Sequence, residues 1–243
     1  MLRDALANCE KTLGPEHRDT AGSLNNLADV LRAQGDLAGA RPLFERALAI
    51  YEKALGPEHP LTATSLNNLA GLLHAQGDFT GAQPLFQRSV AISEKTLGSE
   101  HPHTATCLNN LASVLKAQGD FAGARPLYER ALAIREKALG PEHYDTAESL
   151  NDLAVLLSNE GDFAGARLLL KRALAIGASH VKHSPLEETA FGAHDITLGR
   201  DHDLTKDSAR VTANALDGLG RTEEAKALRE RYGVAEPEKP KSS

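Results

Sequence analysis

Residues 56–97 read GPEHPLTATSLNNLAGLLHAQGDFTGAQPLFQRSVAISEKTL, and close variants of this stretch lie on both sides of it. Gly14, Gly56, Gly98 and Gly140 each follow a leucine, in LGPEH, LGPEH, LGSEH and LGPEH, and 56 − 14 = 98 − 56 = 140 − 98 = 42. A second series, Gly35, Gly77, Gly119 and Gly161, sits in QGD, QGD, QGD and EGD with the same spacing. Glycine punctuates local structure, and a fixed period of this length marks a repeat architecture. Two punctuations per unit predict two helices and two turns.

The residues between the glycines carry helical patterns. Leu66, Leu69, Ala70 and Leu73 fall at i, i+3, i+4 and i+7, the stripe of a helix with one buried face. Gly77 fits its stop and Asp78 the N-cap of the next helix, which continues through Phe79, Ala82, Phe86 and the SVAI run to Leu97. Pro60 and Pro102 suit a first turn, where a missing N–H costs nothing. Pro42, Pro84 and Pro126 lie about a turn and a half further in and are expected to bend the second helix or delay its regular start. A hairpin of this size cannot bury its apolar face alone, so successive hairpins must stack into an all-α solenoid. Alanines at 28, 70, 112 and 154, and at 40, 82, 124 and 166, permit close helix approach, with Phe44, Phe86, Tyr128 and Leu170 expected as a core column.

LNNLA, QGDF, GA-x-PL(F/Y)-x-RA and LGPEHP together resemble tetratricopeptide repeats of the 42-residue kind found in kinesin light chains and many bacterial proteins. The resemblance covers most of the chain. It implies a right-handed superhelical solenoid whose first helices line a concave groove. It also implies a non-catalytic role in protein–protein interaction, with a peptide or partner segment held in that groove. Fold alone does not fix a partner.

The repeat divides the chain. Residues 1–14 align with the second helix of a unit and read as a half-repeat; four units follow over 15–176. The next matching glycine is Gly199, and 199 − 140 = 59 = 42 + 17, so residues 177–193 (GASHVKHSPLEETAFGA) are expected as an inserted loop. Residues 194–233 resume the register as a degenerate capping repeat, with Arg229 at the Phe86 position suiting a wet outer face, and 234–243 read as a disordered tail. The half-repeat at the start raises two further readings. The chain could be a regulatory or sensor fragment of a larger signalling protein, or a module that self-associates through the exposed half-repeat.

Composition excludes several classes. Acidic residues exceed basic ones, 33 against 27, for a net charge of −6, and there is no Trp with aromatics at 4%. Both features argue against a nucleic-acid surface built on basic patches or stacking platforms. No apolar run is long enough for a signal peptide or a membrane span, so no membrane partner is expected and a cytoplasmic setting is the simplest expectation. Cys9 and Cys107 form no disulfide framework; Cys107 stands where Ser23, Ser65 and Ser149 stand and is expected as a small packing residue.

No catalytic or cofactor signature is present: no phosphate loop, nucleophile elbow, HExxH helix or paired CxxC. The chain is read as no enzyme, with no cofactor and no metal. His17, His59, His101 and His143 recur once per repeat, but a repeat step of about 10 Å keeps successive copies from sharing one ion, whose ligands sit ~2 Å away. A role in turn geometry is expected for them. His180, His183 and His194 make a looser group without a confirming carboxylate or cysteine spacing.

The asparagine pairs remain. LNNLA recurs at Leu24, Leu66 and Leu108, and LNDLA at Leu150, although asparagine is a worse helix former than alanine by about half a kcal/mol. The face they share with residues three and four further on would put Asn25, Asn26, Asp29 and Arg32 in the groove. Asn67, Asn68 and His74 would follow, then Asn109, Asn110 and Lys116, then Asn151 and Asp152. An amide offers two donors and an acceptor, which suits the backbone of an extended peptide. Two readings stay open: ligand contact, or bridges between neighbouring repeats, with each able to hold for a different member of a pair. Members of the resembled family add basic residues that favour acidic ligands. Here Arg32, His74 and Lys116 are offset by Asp29, Glu148 and Asp152, so that preference is not carried over.

Overall fold

The computed structural model describes residues 2–182 and, further on, 209–210, 213–214, 216–217, 220 and 222–234, with side chains continuous through Ile176. Among the described residues all regular structure is helical: α1 (Leu2–Leu13), α2 (Arg18–Ala33), α3 (Leu37–Leu55), α4 (Pro60–Ala75), α5 (Phe79–Thr96), α6 (Pro102–Ala117), α7 (Phe121–Leu139), α8 (Tyr144–Asn159), α9 (Phe163–Lys182) and α10 (Thr222–Tyr232). The chain forms two compact units, 1–134 and 135–243.

In the first unit α2 packs on α3 and α4 on α5, while α3 meets α4 and α5 meets α6. First helices also lie side by side, α2 against α4 and α4 against α6. In the second unit α8 packs on α9. The expected core column is buried: Phe44, Phe86, Tyr128 and Leu170 are nearly or wholly inaccessible, as are the alanines at 28, 70, 112, 154, 40, 82, 124 and 166. Alanine at the crossing points lets helix backbones approach, and the large residues fill the space beside them.

Each turn is closed by a fixed set of bonds. Gly77 has φ +79°, a left-handed conformation that L side chains disfavour. Its N–H donates to the His74 carbonyl and the Asp78 N–H to the Leu73 carbonyl, both at 2.9 Å, which is a Schellman ending. Asp78 then caps α5 by accepting from the Gly81 N–H at 2.9 Å, and Asp36, Asp120 and Asp162 do the same for Gly39, Gly123 and Gly165.

The recurring histidines have a defined part in the other turn. His59 is the N-cap of α4, and its Nδ1 accepts from the Leu61 N–H at 3.1 Å. His17, His101 and His143 cap α2, α6 and α8 in the same way. Beside each, a threonine hydroxyl donates to the carbonyl of the loop glycine, as Thr62 does to Gly56 at 2.9 Å.

Three expectations need correction. Of the two effects expected of Pro42, Pro84 and Pro126, a bend or a delayed start, the delay is absent: their helices begin five residues earlier at Leu37, Phe79 and Phe121. The carbonyls the prolines leave without a helical donor belong to Ala38, Thr80 and Ala122, which are exposed residues, so solvent can take the place of the lost donor. The stretch 177–193 is not loop throughout, because α9 runs on to Lys182. Its remainder, like most of 194–221, the tail from 235, and His183 and His194, lies outside the described residues. Arg229 is not on a wet face: it is buried, and its Nη2 donates to Asn214 Oδ1 at 2.9 Å and Asp217 Oδ2 at 2.5 Å.

A further device joins the repeats. Arg46 reaches back to Glu10, Arg88 to Glu52 and, in the second unit, Arg172 to Glu136, each at 2.6 Å across 36 residues. Arg130 reaches Glu94 in the same way. Lys53 pairs with Glu16 and Lys95 with Glu58 on the same edge. No helix of the described residues is long and apolar enough to cross a membrane.

Candidate functional site: a polar pocket between three first helices

Adjacent residues on a helix point about 100° apart, so the members of an asparagine pair diverge even where both border one pocket. Three of the first members turn inward. Asn25, Asn109 and Asn151 are each at most 8% exposed, and Asn67 is half-buried. Asn25 Oδ1 accepts from Ser65 Oγ of the next repeat at 3.5 Å, and Asn67 Oδ1 accepts from Asn110 Nδ2 at 3.0 Å. The second members turn outward: Asn26 is exposed, while Asn68 and Asn110 are half-buried.

In the first unit these helices enclose a pocket of about 310 Å³ lined by Arg32 from α2, Asn67, Asn68, Gly71 and His74 from α4, and Asn110 and Ser113 from α6, with Phe86 behind them. Five of the residues singled out from the sequence, Arg32, Asn67, Asn68, His74 and Asn110, thus meet in one place. Asp29 stands beside it and accepts from Arg32 Nη2 at 2.9 Å. Lys116 lies with its ammonium 5.6 Å from the centre of the Tyr128 ring, a cation–π contact outside the pocket lining. Asn151 and Asp152 belong to α8 in the second unit.

The electrostatics of the pocket are muted. His74 is held below the ordinary histidine pKa, first by burial and then by the nearby Lys116 charge, so at neutral pH its ring carries no proton charge. Its Nε2 lies 3.4 Å from Ser113 Oγ, and its ring tilts against Phe79 with centroids 5.3 Å apart. Asn68 has no hydrogen-bonding side-chain partner among the described residues, so its amide is open to whatever enters.

Gly71 and Ser113, which share the asparagine face in the sequence pattern and stand at the position of Asp29 in the first repeat, contribute to this pocket through small size and a hydroxyl. A second polar cluster lies inside the first unit. Cys107 is fully buried, with its Sγ 3.2 Å from Ser89 Oγ and 3.6 Å from both Ser93 Oγ and His103 Nδ1. Burial pushes its thiol pKa up, which fits a packing residue rather than a nucleophile. In the second unit the buried Arg135 donates to the Asp145 carbonyl and Ser149 Oγ at 2.9 Å and to Glu148 Oε2 at 3.0 Å. Desolvation raises the pKa of Glu148 although Arg135 opposes the shift.

A model of the family described as Tetratricopeptide repeat matches residues 1–53, 19–80, 62–137 and 108–178. The chain is a member of the tetratricopeptide-repeat family. It is similar to a crystal structure of nearly identical TPR-like repeats from a Podosopora anserina protein described as a kinesin light chain, at 30% identity and TM-score 0.69, over 89% of this chain and 95% of that one. It also shares its fold with BtubC (BKLC) from P. vanneervenii, at 21% identity and TM-score 0.74, covering all of this chain and 92% of the other. The apo form of RapI matches at 16% identity and TM-score 0.68 over 95% of this chain and 55% of that chain. No curated protein matches. Repeats of this family in general mediate protein–protein interaction, and the scaffold is typically non-catalytic.

Proposed function

We propose that the protein binds an extended peptide segment of a partner along the face formed by α2, α4 and α6, without catalysis. The observation that carries this reading is the pocket of about 310 Å³ in which Asn68, Asn110 and Arg32 converge with hydrogen-bonding capacity that the fold leaves unused. An extended peptide brings backbone N–H and C=O groups that need partners once water is removed, and amides answer both. Asn26, and Asp152 on α8, are proposed as further contacts on their own first helices. Asn25, Asn109 and Asn151, being buried, are proposed to support the face rather than touch the ligand.

Panning a random peptide library against the purified chain, beside an Asn68→Ala variant of matched stability, tests the reading. A motif enriched by the parent and lost in the variant is expected. No enrichment, or the same enrichment by both, would sink it.

Self-association is a second reading, favoured by α1, none of whose residues is buried and which exposes Leu2 and Leu13. Light scattering across a dilution series is expected to show a mass rising with concentration under this reading. A strict monomer throughout rules it out.

A further inference from the structure

The pocket between α2, α4 and α6 differs from a simple basic slot, and the difference bears on what it can select. Four positions decide it. Arg32 extends from α2 across α4, so that its Nη1 lies 3.3 Å from where a Cβ on Gly71 would stand. The equivalent positions in the flanking repeats carry Asp29 and Ser113, and only the middle repeat leaves this space clear for the guanidinium. Its charge, however, is already matched: Nη2 is bonded to Asp29 Oδ1 at 2.9 Å. Asn110 has committed one N–H to Asn67, at 3.0 Å, which leaves its own Oδ1 as an acceptor beside the pocket.

Taken together, the lining offers donors from Arg32 Nη1 and Asn68, acceptors from Asn68 and Asn110, and no net charge from the Arg32–Asp29 pair. His74 adds none, since burial and Lys116 keep it neutral, and Lys116 itself lies outside the lining, over the Tyr128 ring. A carboxylate has acceptors only. Placed here it would face the Asn110 oxygen and approach a guanidinium whose charge Asp29 already offsets, so it gains less from the Nη1 donor than it would from an unpaired arginine. A primary amide has two donors and one acceptor and can be matched on every side.

We propose that this pocket takes a primary amide side chain, Gln or Asn, of the bound peptide and discriminates against the corresponding carboxylate. The proposal rests on the peptide-binding reading above and names the residue class that its central pocket selects. Asp29 is then the specificity-determining residue, because it is the group that cancels Arg32.

The test uses the full chain and a random peptide library, followed by calorimetric titration of the best peptide made in two forms, with Gln or Glu at the selected position. The parent is expected to enrich Gln or Asn at one position and to bind the Gln form about tenfold tighter, the scale of one lost buried hydrogen bond. In an Asp29→Ala variant the freed guanidinium is expected to reverse the order, with the Glu form binding tighter. Asp29 is part-exposed on a helix surface, so this variant keeps its fold, which circular dichroism checks. Equal or tighter binding of the Glu form by the parent would overturn the proposal, as would a preference that Asp29→Ala leaves unmoved. Peptides enriched without any amide-selecting position would also overturn it while leaving the groove reading intact. No enrichment at all would remove both.

Discussion

The two long edges of the first unit make an instructive contrast. Along the edge bearing the inter-repeat loops, the chain repeats itself to the letter: Glu10, Glu52 and Glu94 meet Arg46, Arg88 and Arg130, and two matching hollows recur, one lined by Pro15, Glu16, Arg46, Ala49, Ile50 and Lys53, the other by their counterparts from Pro57 to Lys95. Every charge there has a protein partner, since the lysines pair with Glu16 and Glu58. Across the face of the first helices the equivalent positions differ from repeat to repeat: Asp29, Gly71 and Ser113 in one row, Arg32, His74 and Lys116 in the next. Positions that join one repeat to the next need the same residue each time. Positions without that duty are free to vary, and it is there that a ligand preference can be written.

Substitutions can break or sharpen this contrast, beginning with the largest effect. Phe86 lies behind the pocket and is 2% exposed, so Phe86→Ala is expected to cost about 3–5 kcal/mol in urea unfolding and to abolish peptide binding with it. Gly77→Ala, at φ +79°, is expected to cost roughly 1–2 kcal/mol through backbone strain while leaving the peptide preference unchanged in titration.

A pH effect of fixed sign comes next. Burial holds His74 and His103 below the ordinary value of 6.5, so between the folded and unfolded values the unfolded chain binds more protons. Their stabilising contribution is complete above the unfolded value and is lost as pH falls through the depressed folded values. Thermal unfolding followed at decreasing pH is expected to show this loss, reduced in a His103→Gln variant. At the small end, Arg88→Ala removes a 40%-exposed ion pair and is expected to cost under about 1 kcal/mol with no change in binding.

The repeat made the helices legible in the sequence, because the two glycine series and the alanine and aromatic columns all share one period. What escaped was whatever depends on orientation across a repeat boundary. The histidines were placed in the turns, but an Nδ1 that accepts from the second N–H of the following helix requires a ring setting that spacing does not encode. The Glu–Arg ladder was missed although its signal was present, as opposite charges held 36 residues apart and recurring with the repeat. Pro84 is expected to bend α5 or delay its start, yet α5 begins at Phe79, and Thr80, whose carbonyl loses its helical donor, is an exposed residue. Arg229 was placed on a wet face because a lone arginine in a core column suggests solvent, whereas Asn214 and Asp217 receive it inside. For the asparagines, the sequence leaves ligand contact and bridging between repeats open for either member of a pair; Asn25 and Asn67 bond Ser65 and Asn110 of the next repeat, a choice of partner that spacing does not encode.

The division between bridging and ligand contact is the central claim, and one paired measurement addresses it. Asn67→Ala and Asn68→Ala are to be compared side by side for urea stability and for binding of the best library peptide. The account predicts that Asn67→Ala loses about 1 kcal/mol of stability by orphaning Asn110, while Asn68→Ala keeps its stability and loses the peptide. Both variants losing stability with binding intact would contradict it, and would make the asparagines glue between repeats and nothing more.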